Sequence, residues 1–235
     1  MRRTHYYSLL QLLILAIVCF AQPSLRKRED LAGVCQSRRY EVGVEVGVQM
    51  ALFSEQILSH WKSAKRYYLV DMWRSQSNYS DGANVADDEQ EKRYQIAQRR
   101  MARFGSKAVF IRNDSLSALH LVPDNSVDFV YIDARHDYCG AFEDLVAWWP
   151  KLRKGGLFAG HDYFTNAEFI EHMGAYRPKD SGDDWSLCGN GTRHQGAVKG
   201  AVLDFARTVN VSAECVSNTG SVKHAFPSWY FPFKS

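Results

Sequence analysis

Val127-Asp128-Phe129-Val130-Tyr131-Ile132-Asp133 is the stretch on which the fold turns. The four residues Phe129 to Ile132 are apolar without a break, which suits a strand buried on both faces, as in a parallel sheet, and not one with a wet side. The run stops on an acid. Working outward, the same plan recurs. Residues 39–48 read as a strand carrying Glu41, Gly43 and Glu45, turning at Gly47 into a helix with Leu52, Ile57, Leu58 and Trp61 at helical spacing. Residues 67–70 form a β-prone run that stops at Asp71, residues 108–111 one that stops before Asn113-Asp114-Ser115, and residues 157–159 one that runs into Gly160-His161-Asp162. Residues 94–104 and 142–152 have helical spacing. In the second, Phe142, Leu145, Val146 and Trp149 share a face, Glu143 and Asp144 fall on the solvent side, and Lys154-Gly155-Gly156 ends the element. Short strands alternating with helices of about 10 to 15 residues predict right-handed crossovers and one α/β, Rossmann-like, open and mostly parallel sheet with helices on both faces. Residues 198–209 read as a late helix and 215–233 as edge strands; 74–91 and 169–191 read as loops or covers.

A chain of 235 residues, 46% hydrophobic and 23% charged, can bury a sizeable core. Its formal charge of +3 includes Arg2 and Arg3, and without them 27 basic residues face 26 acidic ones. No basic stripe marks a nucleic-acid surface, so no nucleic-acid partner is expected. Residues 9–21 form an apolar run behind Arg2, Arg3 and His5, too short to span a bilayer of about 30 Å comfortably. With Cys19 and Ala21 as small residues before a cleavage point, residues 1–21 read as a signal peptide, a membrane anchor being the alternative. Residues 22–37 then form a lead-in and 38–235 the domain, secreted or in the secretory pathway and not embedded in a membrane. Cys35, Cys139, Cys188 and Cys215 would remain, enough for two disulfides of open pairing. Asn78-Tyr79-Ser80, Asn113-Asp114-Ser115, Asn190-Gly191-Thr192 and Asn210-Val211-Ser212 are glycosylation sequons.

Ligands of open parallel sheets bind outside the carboxyl ends of the strands, where helices begin. Here those ends carry Glu45-Val46-Gly47, Asp71, Asp114-Ser115, Asp133 and His161-Asp162. Asp71 stands where an acid accepts hydrogen bonds from the ribose diol of an adenosine cofactor, and Trp73, just past it, is placed to bound an adenine pocket. The turn after Gly47 continues Val48-Gln49-Met50-Ala51 and lacks the full glycine fingerprint of a dinucleotide site. The surrounding acids favour a smaller, cationic adenosine cofactor. Asp133, His161 and Asp162 have the donor types to hold a divalent ion such as Mg2+ or Mn2+, which would lower the pKa of a substrate hydroxyl. The metal-free alternative has Asp133 or His136 remove the proton, with Asp162 orienting an imidazole, His161 being the third residue able to move it.

These pieces together resemble the class I S-adenosylmethionine-dependent methyltransferases, in particular the type 24 methyltransferase domain family. The resemblance rests on Glu45-Val46-Gly47-Val48, Phe53 to Leu58, Leu69 to Trp73, Ile111 to Ser115, Val127 to Tyr138 and Trp149 to Gly156, then Gly160-His161-Asp162-Tyr163, and covers about residues 38–233. It implies a seven-stranded sheet ending in an antiparallel hairpin. It further implies Gly47 near the methionine portion of S-adenosylmethionine, Asp71 at the ribose and Asp114 or Ser115 at the adenine; Glu45 and Asp133 are further candidate cofactor residues, Asp133 also for the metal. Related catechol-type enzymes bind metal through an acid at the position of Asp133 and an Asp-Asn pair; this chain has His161-Asp162 there. Ala51 stands where the family often has a second glycine. The activity implied is O-methylation of a small hydroxylated or carboxylated molecule, with homo-oligomerisation left open. The alternatives are an NAD-dependent oxidoreductase and a secreted, catalytically silent binding protein.

Overall fold

In a computed structural model, which describes residues 25–174, 183–216 and 226–234, five strands run parallel: β1 (Val42–Val46), β2 (Arg66–Asp71), β3 (Ala108–Arg112), β4 (Val127–Ile132) and β5 (Leu152–Gly160). β6 (Glu214–Val216) and β7 (Ser228–Phe231) complete the sheet in the order β3-β2-β1-β4-β5-β7-β6, β7 lying antiparallel to both neighbours. The expected fold class, hairpin included, is the one observed. The chain winds outward from β1 to β3 and then returns to place β4 on the other side of β1. This reversal opens a crevice at the carboxyl ends of β1 and β4.

Alternation along each strand divides the core. Phe129 and Tyr131 of β4 face α1 (Leu31–Ser37), α2 (Leu52–His60) and α3 (Asp87–Met101), packing with Ile57, Trp61, Met101 and Leu31. Val130 and Ile132 face the opposite layer, which holds α4 (Ser115–Ala118), α5 (Tyr138–Trp148) and α7 (Ala197–Thr208), with Leu145, Trp148, Val202 and Phe205. A further helix, α6 (Asn166–Met173), carries Phe169 onto Trp185. All six residues of β4 are buried, so its one carboxylate needs partners. Asp128 accepts the backbone N–H groups of Glu41 and Val42, both at 2.7 Å, and is paired with Arg153.

Three expectations change. β5 starts at Leu152 rather than after the glycines, and the register shift against β4 between Val127 and Phe129 absorbs Lys154-Gly155-Gly156 as a bulge, with Gly155 at φ +73°. Asp144, assigned to the solvent side of its helix, is buried because α5 begins at Tyr138 and its other flank meets α4. The described part of the lead-in, residues 25–37, belongs to the folded body, since Leu31, Ala32 and Cys35 are fully buried. Residues 1–21 lie outside the described residues, among which no helix is long and apolar enough to cross a membrane.

Candidate active site

The first turn is built around contact between backbones. Gly47 has φ +87°, and a Cβ placed on it would stand 1.9 Å from the carbonyl oxygen of Asp133. Its N–H donates to Val70 O at 2.9 Å while Asp133 N–H donates to Val46 O at 2.8 Å, so the exits of β1, β2 and β4 are tied together there. Asp71 organises the next residues: Oδ2 accepts from Val48 N and Gln49 N, each at 2.9 Å, and Oδ1 from Trp73 N at 2.7 Å. Ala51, the position of the missing glycine, is buried and left-handed at φ +57°, a conformation that costs an L-residue roughly 1–2 kcal/mol.

A cavity of about 390 Å³ follows these strand ends, from Asp114 and Ser115 past Asp71, Gly47 and Glu45 to Asp133 and His136. That volume is in the range of small-molecule sites. Trp73 is not in its wall. At φ +43° its ring turns into the core, the indole N–H donating to Gln49 O at 2.7 Å and the ring packing on Tyr94 and Phe110, which corrects its assignment to the adenine pocket. Ser115 lines the cavity, but its hydroxyl is engaged with Asp144 and accepts from Trp148 Nε1 at 2.8 Å. Asp114 caps α4 through Ser117 N at 2.8 Å.

At the other end His136 bridges two carboxylates, with Nδ1 2.8 Å from Asp81 Oδ2 and Nε2 3.0 Å from Asp162 Oδ2. Asp162, left-handed at φ +57°, is buried, and its Oδ1 has no hydrogen-bond partner among the described residues. His161 Nδ1 stands 3.2 Å from that oxygen and 3.8 Å from Asp133 Oδ1. Ligand atoms of Asp133, His136 and Asp162 all lie within 4.8 Å of one another. The expected trio of Asp133, His161 and Asp162 is therefore regrouped: His136 takes the third place, because the loop after β4 folds back over the end of β5 before Asp137 caps α5 by accepting Gly140 N at 3.0 Å. His161 flanks the group.

A family model described as a methyltransferase domain matches residues 40–163, which include Glu45, Gly47, Asp71, Asp114, Asp133, His136 and Asp162. The chain belongs to this family of S-adenosylmethionine-dependent methyltransferases. Solved structures agree in fold. A Staphylococcus aureus protein proposed to be a caffeoyl-CoA O-methyltransferase shares 14% identity at a TM-score of 0.58, covering 96% of this chain and 92% of that one. An O-methyltransferase from Bacillus cereus, in complex with SAH, gives 14%, 0.55, 95% and 88%. The O-methyltransferase TomG from Streptomyces achromogenes, in complex with SAM, gives 12%, 0.53, 92% and 85%. Comparison with curated protein sequences gives no match. Membership of the family sets aside the oxidoreductase alternative.

Burial dominates the electrostatics of this methyltransferase. It pushes Glu45 up to about 8 against an ordinary 4.5, although Ser54 Oγ at 2.6 Å and Tyr67 OH at 3.0 Å donate to it. Because the folded value is raised, stability from the neutral acid is complete below pH 4.5 and is lost as pH climbs through about 8. Glu45→Gln is expected to flatten that loss, read as a smaller difference between urea midpoints at pH 5 and pH 9; an unchanged difference would reject the neutral-acid assignment. Burial also raises Asp133 and takes Asp144 to about 7. Burial opposes charge on Asp162 as well, yet His161 and His136 override it and hold this carboxyl well below its usual range. His136 is the counterpart: burial opposes its charge, but Tyr79, Asp81 and Asp162 overcome this and raise it well above its ordinary range, favouring the imidazolium.

The residues missed by sequence reasoning come from the covers. Asp81 of the 72–86 segment receives Trp185 Nε1 at 2.9 Å, and Trp185 lies against His136 with ring centroids 4.6 Å apart. Cys139 and Cys188 form a disulfide that fastens this second cover to the first turn of α5; Cys35 and Cys215 are free thiols. Reduction, or Cys188→Ser, is expected to release Trp185 from His136 and to lower turnover at least about tenfold, while leaving most of the core intact. Activity and far-UV circular dichroism with and without dithiothreitol test this, and equal turnover would reject it. No local signal paired these cysteines, which are 49 residues apart. Asn113 lines the cavity with its side-chain oxygen accepting Asp114 N at 3.0 Å, whereas Asn78, Asn190 and Asn210 are exposed.

Proposed function

We propose that this methyltransferase transfers the methyl group of S-adenosylmethionine to an oxygen of a small hydroxylated or carboxylated molecule. The observation that carries the reading is one continuous cavity with Asp114, Asp71 and Glu45 along one half and Asp133 and His136 at the other, where Asp162 backs His136 from behind the wall. The complexes of the Bacillus cereus enzyme with SAH and of TomG with SAM support the cofactor. Asp71 uses three acceptor sites on backbone N–H groups, and a carboxylate has about four, which leaves one for a ribose hydroxyl. The carboxyl groups of Glu45 and Asp133 line this cavity as polar acceptors toward a cationic ligand.

S-adenosylmethionine supplies an electrophilic methyl carbon on that sulfonium. The residues here have to align the acceptor oxygen with it, keep water out and take up a proton where the acceptor is a hydroxyl. Trp185 and the disulfide-held cover shield His136 from solvent. The donor set also suits a divalent ion, since ligand atoms of Asp133, His136 and Asp162 lie within 4.8 Å of one another; binding would displace the proton between His136 Nε2 and Asp162, while Asp81 on Nδ1 would orient the ring as a carboxylate does behind a metal-bound imidazole. A divalent ion held by Asp133, His136 and Asp162 would lower the pKa of a bound hydroxyl. The disulfide, with the leader-like residues 1–21, supports function in an oxidising compartment of the secretory route.

Titration calorimetry with S-adenosylmethionine and S-adenosylhomocysteine, with and without Mg2+ or Mn2+, tests the reading. Saturable binding that Asp71→Ala weakens is expected. A flat titration in every condition would overturn the enzyme and favour a silent binding protein.

A further inference from the structure

We infer that Arg28, fourteen residues ahead of β1, holds the α-carboxylate of the cofactor's methionine portion, an assignment that rests on the S-adenosylmethionine reading above. Arg28 opens a tight turn, Arg28–Asp30, which Asp30 secures by accepting the backbone N–H of Arg26 at 2.9 Å and of Lys27 at 3.2 Å. The next residues, Leu31 and Ala32, are fully buried in the core, so the turn has a fixed seat on the domain. From it the arginine side chain reaches the cavity wall. The guanidinium carbon lies 5.2 Å from the centre of the Phe53 ring, which itself stacks on Tyr131 at 4.0 Å, and Nη1 is 3.5 Å from Asp133 Oδ2.

This end of the cavity therefore presents two carboxyl groups, Glu45 and Asp133, and one guanidinium. The methionine portion of the cofactor carries an ammonium and a sulfonium, for which these carboxyl groups are acceptors, and a carboxylate, for which Arg28 supplies a cation. Without Arg28, a ligand carboxylate at the exits of β1 and β4 would face the carboxyl groups of Glu45 and Asp133 with this counter-ion removed. A planar guanidinium suits a carboxylate through two parallel hydrogen bonds.

The test is calorimetry on the wild type, Arg28→Gln and Arg28→Lys with two ligands: S-adenosylhomocysteine, and S-adenosyl-3-thiopropylamine, the same molecule without its carboxylate. Arg28→Gln is expected to weaken S-adenosylhomocysteine roughly 10- to 100-fold, the scale of a hydrogen bond to a charged group, with Arg28→Lys intermediate. The carboxylate-free ligand should change less than about twofold, which also reports that the variants are folded. Equal weakening of both ligands, or none of either, overturns the assignment. Wild-type protein that binds neither ligand overturns the cofactor reading as well, and so separates the two failures.

Discussion

Replacing Gly47 by alanine is expected to abolish measurable binding of S-adenosylhomocysteine and to destabilise the fold. Two independent costs act at this one position. A backbone at φ +87° is strained for any residue with a Cβ, and the added carbon would lie 1.9 Å from Asp133 O and 2.4 Å from Asp133 C. Both atoms are backbone, so no side-chain rotation relieves the clash. The β1 turn would have to move away from β4, against the pairing of Val46 with Ile132 and the hydrogen bond from Asp133 N to Val46 O. Left-handed strain and overpacking together cost at least about 2 kcal/mol, or roughly 4–8 °C in Tm for a domain of this size. The same movement displaces Glu45, Asp71 and Asp133 from one another. Thermal unfolding beside calorimetry measures both effects, and a variant that binds like the wild type would show that the turn does not shape the site.

The second large effect is expected at His136. Its ring joins Asp81 of one cover to Asp162 at the end of β5, so His136→Ala leaves two buried carboxylates without their shared counter-ion. Turnover, followed as S-adenosylhomocysteine formed with any acceptor the wild type methylates, should fall about 10²- to 10⁴-fold. Cofactor affinity should stay within about twofold, because Asp71 and Glu45 are untouched. His136→Gln can retain a hydrogen bond without titrating and separates support from proton handling. The pH dependence has a definite sign. His136 is raised in the folded state, so its contribution to stability is complete below about pH 6.5 and is lost as pH rises through the folded value. The glutamine variant should lack that alkaline decline; a decline of the wild-type size would place it on another group.

Much of this arrangement can be read before folding is considered. The unbroken apolar run of β4 marks a strand buried on both faces, and the acids Glu45, Asp71, Asp114 and Asp133 stand at or just past the carboxyl ends of strands, so local order alone sends them to one edge of the sheet. Trp73 shows where that logic stops. Its position two residues past Asp71 says nothing about the left-handed backbone that turns the ring inward. Asp144 fails for a related reason: a helix flank beside the apolar stripe reads as solvent-facing until α4 is found packed on it through Ser115.

Strand identity, crossover pattern and the acidic edge were thus determined by the sequence, because each depends on neighbours within about one turn or strand. The meeting of His136 with Asp81 and Asp162, the seating of Arg28 against Asp133 and the pairing of Cys139 with Cys188 were decided only in three dimensions. Those contacts join residues 26 to 105 positions apart. Their partners are chosen by how loops fold over the sheet, and a buried carboxylate or imidazole accepts whichever complementary group packing brings within hydrogen-bond reach.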